Sequence, residues 1–372
     1  MIFLDNASTT RVCQDALEAM KEVCSDLYYN PSALYGEALK VKNLVESARR
    51  DIAAMLGADE NEIYFTSCAT ESNNWAFDKG IKNKKGNIVV SSAEHASGYE
   101  CAVAQKSKGI DVRFVKLNSD GTLNEEDLLS KVDENTCFAS IIHCSNETGA
   151  VNDIARLSRK IKEINSKTIV HSDGVQAFCK ISTKVKELGV DMYSLSAHKV
   201  GGLKGSGLLY IKKGLFLAPL ISGGGQERGG RSGTENVPGI VSFAAAAKYF
   251  VAHYDIQKIK QMRELIISEL APLGAIVNGP SDAHSILSLS ILGIKAEILQ
   301  HMLSDKGILI GLGSACSSKA RSNRVLTAIG RSAKEIDGSI RISFGLDNDL
   351  EQIKHAASII KNDIITLRGN IR

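Results

Sequence analysis

The 372-residue sequence contains no run of about 20 apolar residues, the length needed to span a membrane. The longest candidate, near residues 240–252, is interrupted by Lys248. The first residues, MIFLDNASTT, also lack the basic region and the apolar run of a signal peptide. We therefore expect a cytoplasmic protein that has no membrane partner.

Cysteine pairs with the spacing of metal ligands are absent as well. The eight cysteines are scattered along the chain, and no C-x-x-C pair occurs. This pattern argues against a zinc site and against a disulfide framework, so we predict no bound metal. In a reducing cytosol most of these thiols should behave as small apolar side chains.

The chain has no large excess of charge of either sign. Lysine and arginine number 45, aspartate and glutamate number 42, and the formal net charge is +3. Nothing in this balance indicates nucleic acid as a direct partner. Hydrophobic residues make up 44% and charged residues 23%, which is typical of a globular protein, and the length suggests two or three domains.

Proline is scarce, with five residues, and no proline-rich linker divides the chain. Helical patterns (44–57, 125–132 and 153–165) alternate with seven apolar runs typical of strands: 63–67, 87–92, 111–117, 137–143, 168–173, 191–197 and 207–212. This alternation predicts an α/β domain over residues 14–255, with a mostly parallel seven-stranded sheet between helices. We assign residues 1–13 and 256–372 to a smaller α+β domain.

Polar residues follow several of these strands, at the sheet edge where open α/β sheets bind ligands. Thr70, at the start of a helix, suits a phosphate, but it is equally typical of a helix cap. His95 follows the second strand, and a lone histidine is often structural. Asn146 follows the fourth strand, where it can contact a ligand or form a turn.

Asp173 and Lys199 come at the ends of the fifth and sixth strands. A carboxylate in this place is either an exposed edge residue or a partner that keeps a pyridine nitrogen protonated. A lysine at the end of a buried strand is costly unless it is paired or used covalently. Both residues are therefore candidates for a cofactor site.

Two glycine-rich stretches and one arginine complete the candidates. The stretch G-G-G-Q-E-R-G-G-R-S-G-T (223–234) is either a surface loop or a flexible loop that approaches an anion. Cys316 lies in G-L-G-S-A-C-S-S, a context that suits an accessible thiol better than a buried structural one. Arg341 in S-I-R-I-S-F suits a carboxylate ligand or a structural ion pair.

Together these motifs resemble, in order and spacing, the NifS/IscS-type cysteine desulfurases of the class V aminotransferase family, which have PLP fold type I. The resemblance runs nearly end to end. It covers L-D-N-A-S-T-T, N-P-S (30–32), T-S-x-A-T-E-S-N-N, A-E-H, N-E-x-G, H-x-D-x-x-Q, S-x-H-K, G-G-G-Q-E-R-G-x-R-S-G-T, G-S-A-C-S-S and S-I-R-I-S-F-G. It implies pyridoxal 5'-phosphate (PLP) as cofactor and conversion of L-cysteine to L-alanine, with the sulfur held as a persulfide on an enzyme cysteine.

The resemblance also implies a role for each matched position. Lys199 matches the lysine that binds PLP covalently, Asp173 the partner of its pyridine nitrogen, and His95 the imidazole that stacks on its ring. Cys316 matches the cysteine that attacks the substrate sulfur. The other matched cofactor positions are Ala69, Thr70, Asn146, Gln176, Ser196, His198 and Thr234, and the matched substrate positions are Asn30, Asn146 and Arg341.

Thr234 matches a phosphate ligand that arrives from the neighbouring subunit, which implies a homodimer with shared active sites. The loop around Cys316 resembles that of the group whose extended loop carries sulfur to an acceptor protein. Members that supply iron–sulfur scaffold proteins usually have a longer carboxyl-terminal tail than this sequence. We therefore expect a tRNA-thiolation enzyme or another sulfurtransferase as acceptor at least as readily as an iron–sulfur scaffold.

Two positions depart from the family pattern. Cys68 stands where glycine is usual, and Leu203 where proline is common.

Two alternatives remain for the function. One is a different enzyme of the class V fold: a selenocysteine lyase would prefer selenocysteine over cysteine, and an aminotransferase would not need Cys316. The other is an inert sulfur-relay scaffold, in which the catalytic motifs should have decayed.

Overall fold

The computed structural model describes residues 1–83, 85–280, 285–313 and 323–369. In these ranges the strands are β1 (Ile2–Leu4), β2 (Ile63–Thr66), β3 (Asn87–Ser91), β4 (Asp111–Val115), β5 (Thr136–Ser140), β6 (Ile169–Asp173), β7 (Met192–Ser196), β8 (Gly207–Ile211), β9 (Ile276–Val277), β10 (Ile286–Ser290), β11 (Ile308–Leu312) and β12 (Ser339–Ser343). Strands β2 to β8 are the seven runs that the sequence predicts.

The α-helices in the same ranges are α1 (Gln14–Ser25), α2 (Gly36–Leu56), α3 (Ala69–Gly80), α4 (Ala96–Ser107), α5 (Glu125–Lys131), α6 (Ile154–Ile164), α7 (Val185–Leu188), α8 (Val237–His253), α9 (Ile256–Leu270), α10 (Ala296–Asp305), α11 (Arg324–Ala328), α12 (Ala333–Asp337) and α13 (Leu350–Gly369). None of the helices in this described part of the chain is long and apolar enough to cross a membrane.

The larger sheet has the strand order β2-β8-β7-β6-β5-β3-β4. Neighbours from β7 to β4 pair in parallel, whereas β8 runs antiparallel to both β2 and β7. The predicted fold class, with a mostly parallel seven-stranded sheet, is confirmed.

Helices cover both faces of this sheet, as β3 illustrates. Val89 packs in one apolar cluster with residues of α2, α6 and α8. Its neighbours Ile88 and Val90 pack on the other face against Trp75 and Phe77 of α3. Because both faces are buried, such strands appear in the sequence as continuous apolar runs, which explains why the sequence located them well.

The smaller sheet has the order β1-β11-β12-β10-β9. Strand β1 pairs in parallel with β11, and the other neighbours pair antiparallel. Leu4 of β1 shares a core with Met262, Leu299 and Ile360, which lie on α9, α10 and α13. The residues after β1 then cross to the larger sheet, where Cys13 N donates to Gly201 O. The domain boundaries at residues 13 and 255 stay a prediction.

Helices α2 and α8 differ from the sequence prediction for reasons that their packing explains. Helix α2 begins eight positions before residue 44, because Ala38 and Val41 extend its buried face by two further turns. Helix α8 occupies the apolar stretch near 240–252 and packs against α1 and α2. A helix that is buried between others shows no polar face, so its sequence gives no periodic signal.

Candidate active site

The carboxyl ends of strands in the larger sheet open into a cavity of about 360 Å³. Asp173 ends β6 and Ser196 ends β7, while Arg341 reaches the cavity from β12 of the smaller sheet. Ten of the candidate residues line it: Ala69, Thr70, His95, Asn146, Asp173, Gln176, Ser196, His198, Lys199 and Arg341. A cavity of this size suits a cofactor-sized ligand.

Asp173 is buried and held from two sides. Asn73 Nδ2 donates to Asp173 Oδ2 at 2.9 Å, and the amide of Val175 donates to Oδ1 at 3.0 Å. The same Asn73 amide group donates to Ser97 Oγ at 2.9 Å, so α3 and α4 are tied to the end of β6. These bonds fix the orientation of the carboxylate toward the cavity.

Lys199 follows β7 in a short 3₁₀ turn, Ala197–Lys199. Its Nζ donates to the carbonyl oxygens of Ala7 at 2.7 Å and Ser8 at 2.6 Å. Burial, with the positive charges of Lys180 and Arg341, lowers the pKa of Lys199 to about 7. A substantial fraction of this amine is therefore unprotonated near neutral pH, as a nucleophile or base requires.

One end of the cavity has the features of a phosphate site. Helix α3 begins at Ala69, so its free backbone N–H groups and its dipole face an anion placed there. Ser196 Oγ is buried and has no hydrogen-bond partner in the described structure. A buried hydroxyl without a partner carries a free-energy cost that a phosphate oxygen would remove.

His198 and His95 lie on the same cavity. His198 Nδ1 is 3.2 Å from Thr9 Oγ1, and burial with the charge of Lys199 lowers the His198 pKa to about 4. His95 caps α4, where its Nδ1 accepts from the Ser97 amide at 3.2 Å. Because Nδ1 accepts, the neutral ring carries its proton on Nε2. Desolvation lowers the pKa of His95, and the negative charge of Asp173 partly offsets this effect. Solvent still reaches the ring through the cavity.

Arg341 is held by an ion pair that spans three strands. Its Nη2 donates to Asp5 Oδ1 at 2.8 Å and its Nη1 to the Asn146 carbonyl at 3.0 Å, while its buried Nε has no partner in the described structure. Gly311 of β11 is paired with Arg341 in the register. A Cβ on Gly311 would lie 2.6 Å from Asp5 Oδ1, so this glycine leaves the room for the pair to cross β11.

Two predicted residues, Thr234 and Asn30, do not line the cavity in the described structure of a single chain. Thr234 is exposed. Asn30 is also exposed, and its Oδ1 accepts from the amide of Ser32 at 2.9 Å. Cys316 lies in 314–322, outside the described residues. The roles predicted for all these positions stay predictions.

The two departures from the family pattern have local explanations. Cys68 has φ −176°, an extended conformation that any residue adopts, so the missing glycine causes no backbone strain. Cys68 lines the cavity. The amide of Leu203 donates to Ser242 Oγ at 3.2 Å, a bond that proline could not make.

Sequence reasoning missed Asn73 and Asp5. Asn73 is one turn into α3, and Asp5 lies just beyond β1, both within motifs that the sequence analysis quoted. Their partners, Asp173 and Arg341, are 100 and 336 positions away. Only the packing of helix on sheet and the order of strands bring them together, so no local signal could have paired them.

The comparison with protein families agrees with this geometry. The model of the family described as "Aminotransferase class-V" matches residues 2–355. The chain belongs to the class-V aminotransferase family. The family membership predicted from the sequence motifs is therefore confirmed.

Relatives and solved structures extend the match to nearly the whole chain. The cysteine desulfurase IscS of Methanosarcina thermophila is 34% identical, over 99% of this chain and 93% of that protein. A cysteine desulfurase of Nostoc sp. is also 34% identical, over 99% of this chain and 94% of that one. The structure of a NifS-like protein superposes with a TM-score of 0.93 at 35% identity, covering 98% of this chain and 99% of the other. The structure of SspA in complex with cysteine has a TM-score of 0.81 at 33% identity, covering 92% and 99%.

Proposed function

We propose that this protein is a PLP-dependent cysteine desulfurase that converts L-cysteine to L-alanine and keeps the sulfur as a persulfide on Cys316. The observation that carries the proposal is the convergence of Lys199, Asp173, His95 and Arg341 on one cavity. The end-to-end similarity to proteins named cysteine desulfurase, and to SspA in complex with cysteine, supports the choice of substrate.

The cavity residues fit PLP. The partnerless Ser196 hydroxyl and the start of α3, with Thr70 and His198, would hold the phosphate. Asp173 would pair with the pyridine nitrogen and His95 would cover the ring, beside the amine of Lys199. When bound, PLP would supply the electron sink that stabilises negative charge at the substrate α-carbon.

The chain's own residues then carry out binding and proton transfer. Arg341, which lines the cavity, would hold the substrate carboxylate as a charge-assisted hydrogen-bond donor. Lys199, whose pKa is about 7, would remove the α-proton as a general base. Cys316, as a thiolate, would attack the substrate sulfur, so that a sulfur–sulfur bond forms, the carbon–sulfur bond breaks and alanine leaves after protonation.

The finer parts of the function are proposals as well. Thr234 is exposed and away from the cavity of its own chain, which accords with delivery to the site of a second subunit in a homodimer. The sulfur acceptor would be a tRNA-thiolation enzyme or an iron–sulfur scaffold, in the cytoplasm. Residues 14–255 would form the PLP-binding domain, and residues 1–13 with 256–372 the domain that carries Cys316.

The function is tested by incubating the purified holoenzyme with L-cysteine and a thiol reductant, and by measuring alanine and sulfide together. A desulfurase releases the two in equal amounts. Pyruvate with sulfide and ammonia would instead indicate a lyase of the same fold, and 3-mercaptopyruvate without sulfide would indicate a transaminase. Parallel assays with L-selenocysteine distinguish a selenocysteine lyase, which would turn over the selenium substrate and leave cysteine nearly untouched.

We predict that Gly311→Ala weakens substrate binding. The new Cβ would meet Asp5 Oδ1 at 2.6 Å and Arg341 Nη2 at 3.0 Å, so the ion pair must shift. Overpacking of this kind costs about 1–3 kcal/mol, and we expect the KM for L-cysteine to rise about tenfold with a smaller change in kcat. Gly36→Ala is the matched control, because a Cβ there meets nothing within 4 Å. An unchanged KM in folded Gly311→Ala protein would show that the pair does not position Arg341.

A further inference from the structure

A chain of hydrogen bonds links Lys199 to a second lysine. Lys199 Nζ donates to the carbonyl of Ala7 at 2.7 Å, and Gln176 Nε2 donates to the same oxygen at 2.9 Å. At the far end of the Gln176 amide, Lys180 Nζ donates to Oε1 at 3.2 Å. Lys180 matches none of the positions to which the sequence motifs assign a role, yet it is joined to the central amine of the cavity through Gln176 and Ala7.

The two neighbours of the Gln176 amide permit a single orientation. An ammonium group only donates, so the atom facing Lys180 must be Oε1. A backbone carbonyl only accepts, so the atom facing Ala7 must be Nε2. Flipping the amide would set donor against donor at one end and acceptor against acceptor at the other. Lys180 and the Ala7 carbonyl therefore together determine where the Gln176 N–H groups lie on the cavity wall, and Gln176 is buried there.

Lys180 also contributes to the electrostatic environment of Lys199. Its ammonium is the leading charged group that lowers the pKa of Lys199, ahead of Arg341. Burial lowers the pKa of Lys180 itself, while the nearby Cys144 and Cys179 act in the opposite direction and raise it. Two effects, the amide orientation and the charge, thus come from one side chain.

We propose that Lys180 is a positioning residue of this active site, which helps to orient the Gln176 amide and places a positive charge near Lys199, on the far side of that amide. The roles of Gln176 and Lys199 in this proposal rest on the proposed PLP-dependent function. The inference deepens that function, because it names a residue that sets the pH at which the site works.

The direction of the pH effect follows from the charges around Lys199. The groups that face it are the carboxylates of Asp5 and Asp173, the cations Arg341 and Lys180, and the imidazoles of His95 and His198. Removing the Lys180 charge leaves the carboxylates less opposed, so the pKa of Lys199 rises. Because Lys199 acts as a base only after it loses its proton, the acid limb of the activity profile must move to higher pH.

The test compares wild-type holoenzyme with Lys180→Met and Lys180→Gln. The side chain introduced by Lys180→Gln keeps a hydrogen-bond donor for Gln176 but has no charge. The side chain introduced by Lys180→Met has neither a donor nor a charge. Lys186→Met is the control. Lys186 lies on α7, is exposed, and its Nζ is 3.5 Å from Asp59 Oδ1. The readouts are the pH dependence of kcat and, independently, the pH titration of the visible absorbance of bound PLP.

We expect both readouts to shift to higher pH by about half a unit or more in Lys180→Gln and Lys180→Met, and to stay unchanged in Lys186→Met. Folded Lys180→Gln protein whose two profiles coincide with those of wild type would overturn the proposal. An equal shift in Lys186→Met would also overturn it, because the effect would then be one of general surface charge. If Lys180→Met fails to fold, Lys180→Gln and Lys180→Arg decide, with Arg expected to restore the wild-type profile.

The absorbance titration separates this inference from the proposed reaction. It depends on bound PLP and on the charges near Lys199, and not on which product is formed. If wild-type protein released no sulfide, the desulfurase proposal would fail while the titration still decided the role of Lys180.

Discussion

Lys199→Ala protein is expected to lose all turnover of L-cysteine and the visible absorbance of covalently bound PLP. Lys199 is proposed to hold the cofactor and to act as the general base, with a pKa lowered to about 7 in the cavity. Loss of a general base alone costs about 10²–10⁴-fold in rate, and loss of the covalent bond adds to this. We therefore expect alanine formation at least about 10³-fold below wild type. The measurement is alanine release together with an absorbance spectrum of the purified variant.

The matched control for this prediction is Lys213→Ala. Lys213 is exposed beyond β8 and does not line the cavity. It should keep wild-type activity and absorbance, and both variants should have similar melting temperatures. If Lys199→Ala protein retained turnover, the assignment of the cavity as the active site would be wrong.

Cys316→Ala is expected to separate cofactor binding from sulfur transfer. The described residues that line the cavity include the proposed PLP ligands other than Thr234, so we expect PLP and L-cysteine to bind normally in this variant. Without a thiolate to attack the substrate sulfur, however, persulfide and sulfide should fall to background. Spectral titration with L-cysteine and sulfide analysis of the same sample test both halves of this prediction.

Two other cysteines serve as comparisons for Cys316. Cys24 is exposed, and Cys24→Ala should behave as wild type. Cys68 lines the cavity beside the start of α3, so it is the thiol most able to replace Cys316. Persulfide that persists in Cys316→Ala and disappears in a Cys68→Ala variant would show that the nucleophile was assigned wrongly.

The larger sheet and most of the cavity could be predicted because their signals are local. Strands such as β3 and β8 are buried on both faces and appear as mostly apolar runs in the sequence. Asp173 and Ser196 end their strands, and parallel strands bring such ends to one edge of a sheet. The motifs around Lys199 and His95 then resembled a known family in order and spacing.

The remaining features depend on contacts that no local pattern encodes. The Asp5–Arg341 pair requires β1, β11 and β12 to lie side by side, with Gly311 on the middle strand leaving room for the two side chains to meet. Lys180 and Gln176 are four positions apart, but their connection to Lys199 in the described residues runs through the carbonyl of Ala7, far away in the sequence. Thr234 does not reach the cavity of its own chain, so a single chain does not test its predicted role.

The central claim is that sulfur leaves L-cysteine as a persulfide on Cys316, and a single turnover tests it most directly. Holoenzyme is mixed with L-cysteine in the absence of reductant, alanine is quantified, and the site of the added sulfur is located by mass spectrometry of thiol-tagged peptides. We predict one alanine and one sulfur atom on Cys316 per subunit. Alanine formed without sulfur on Cys316, or with the sulfur on Cys68 instead, would contradict the account.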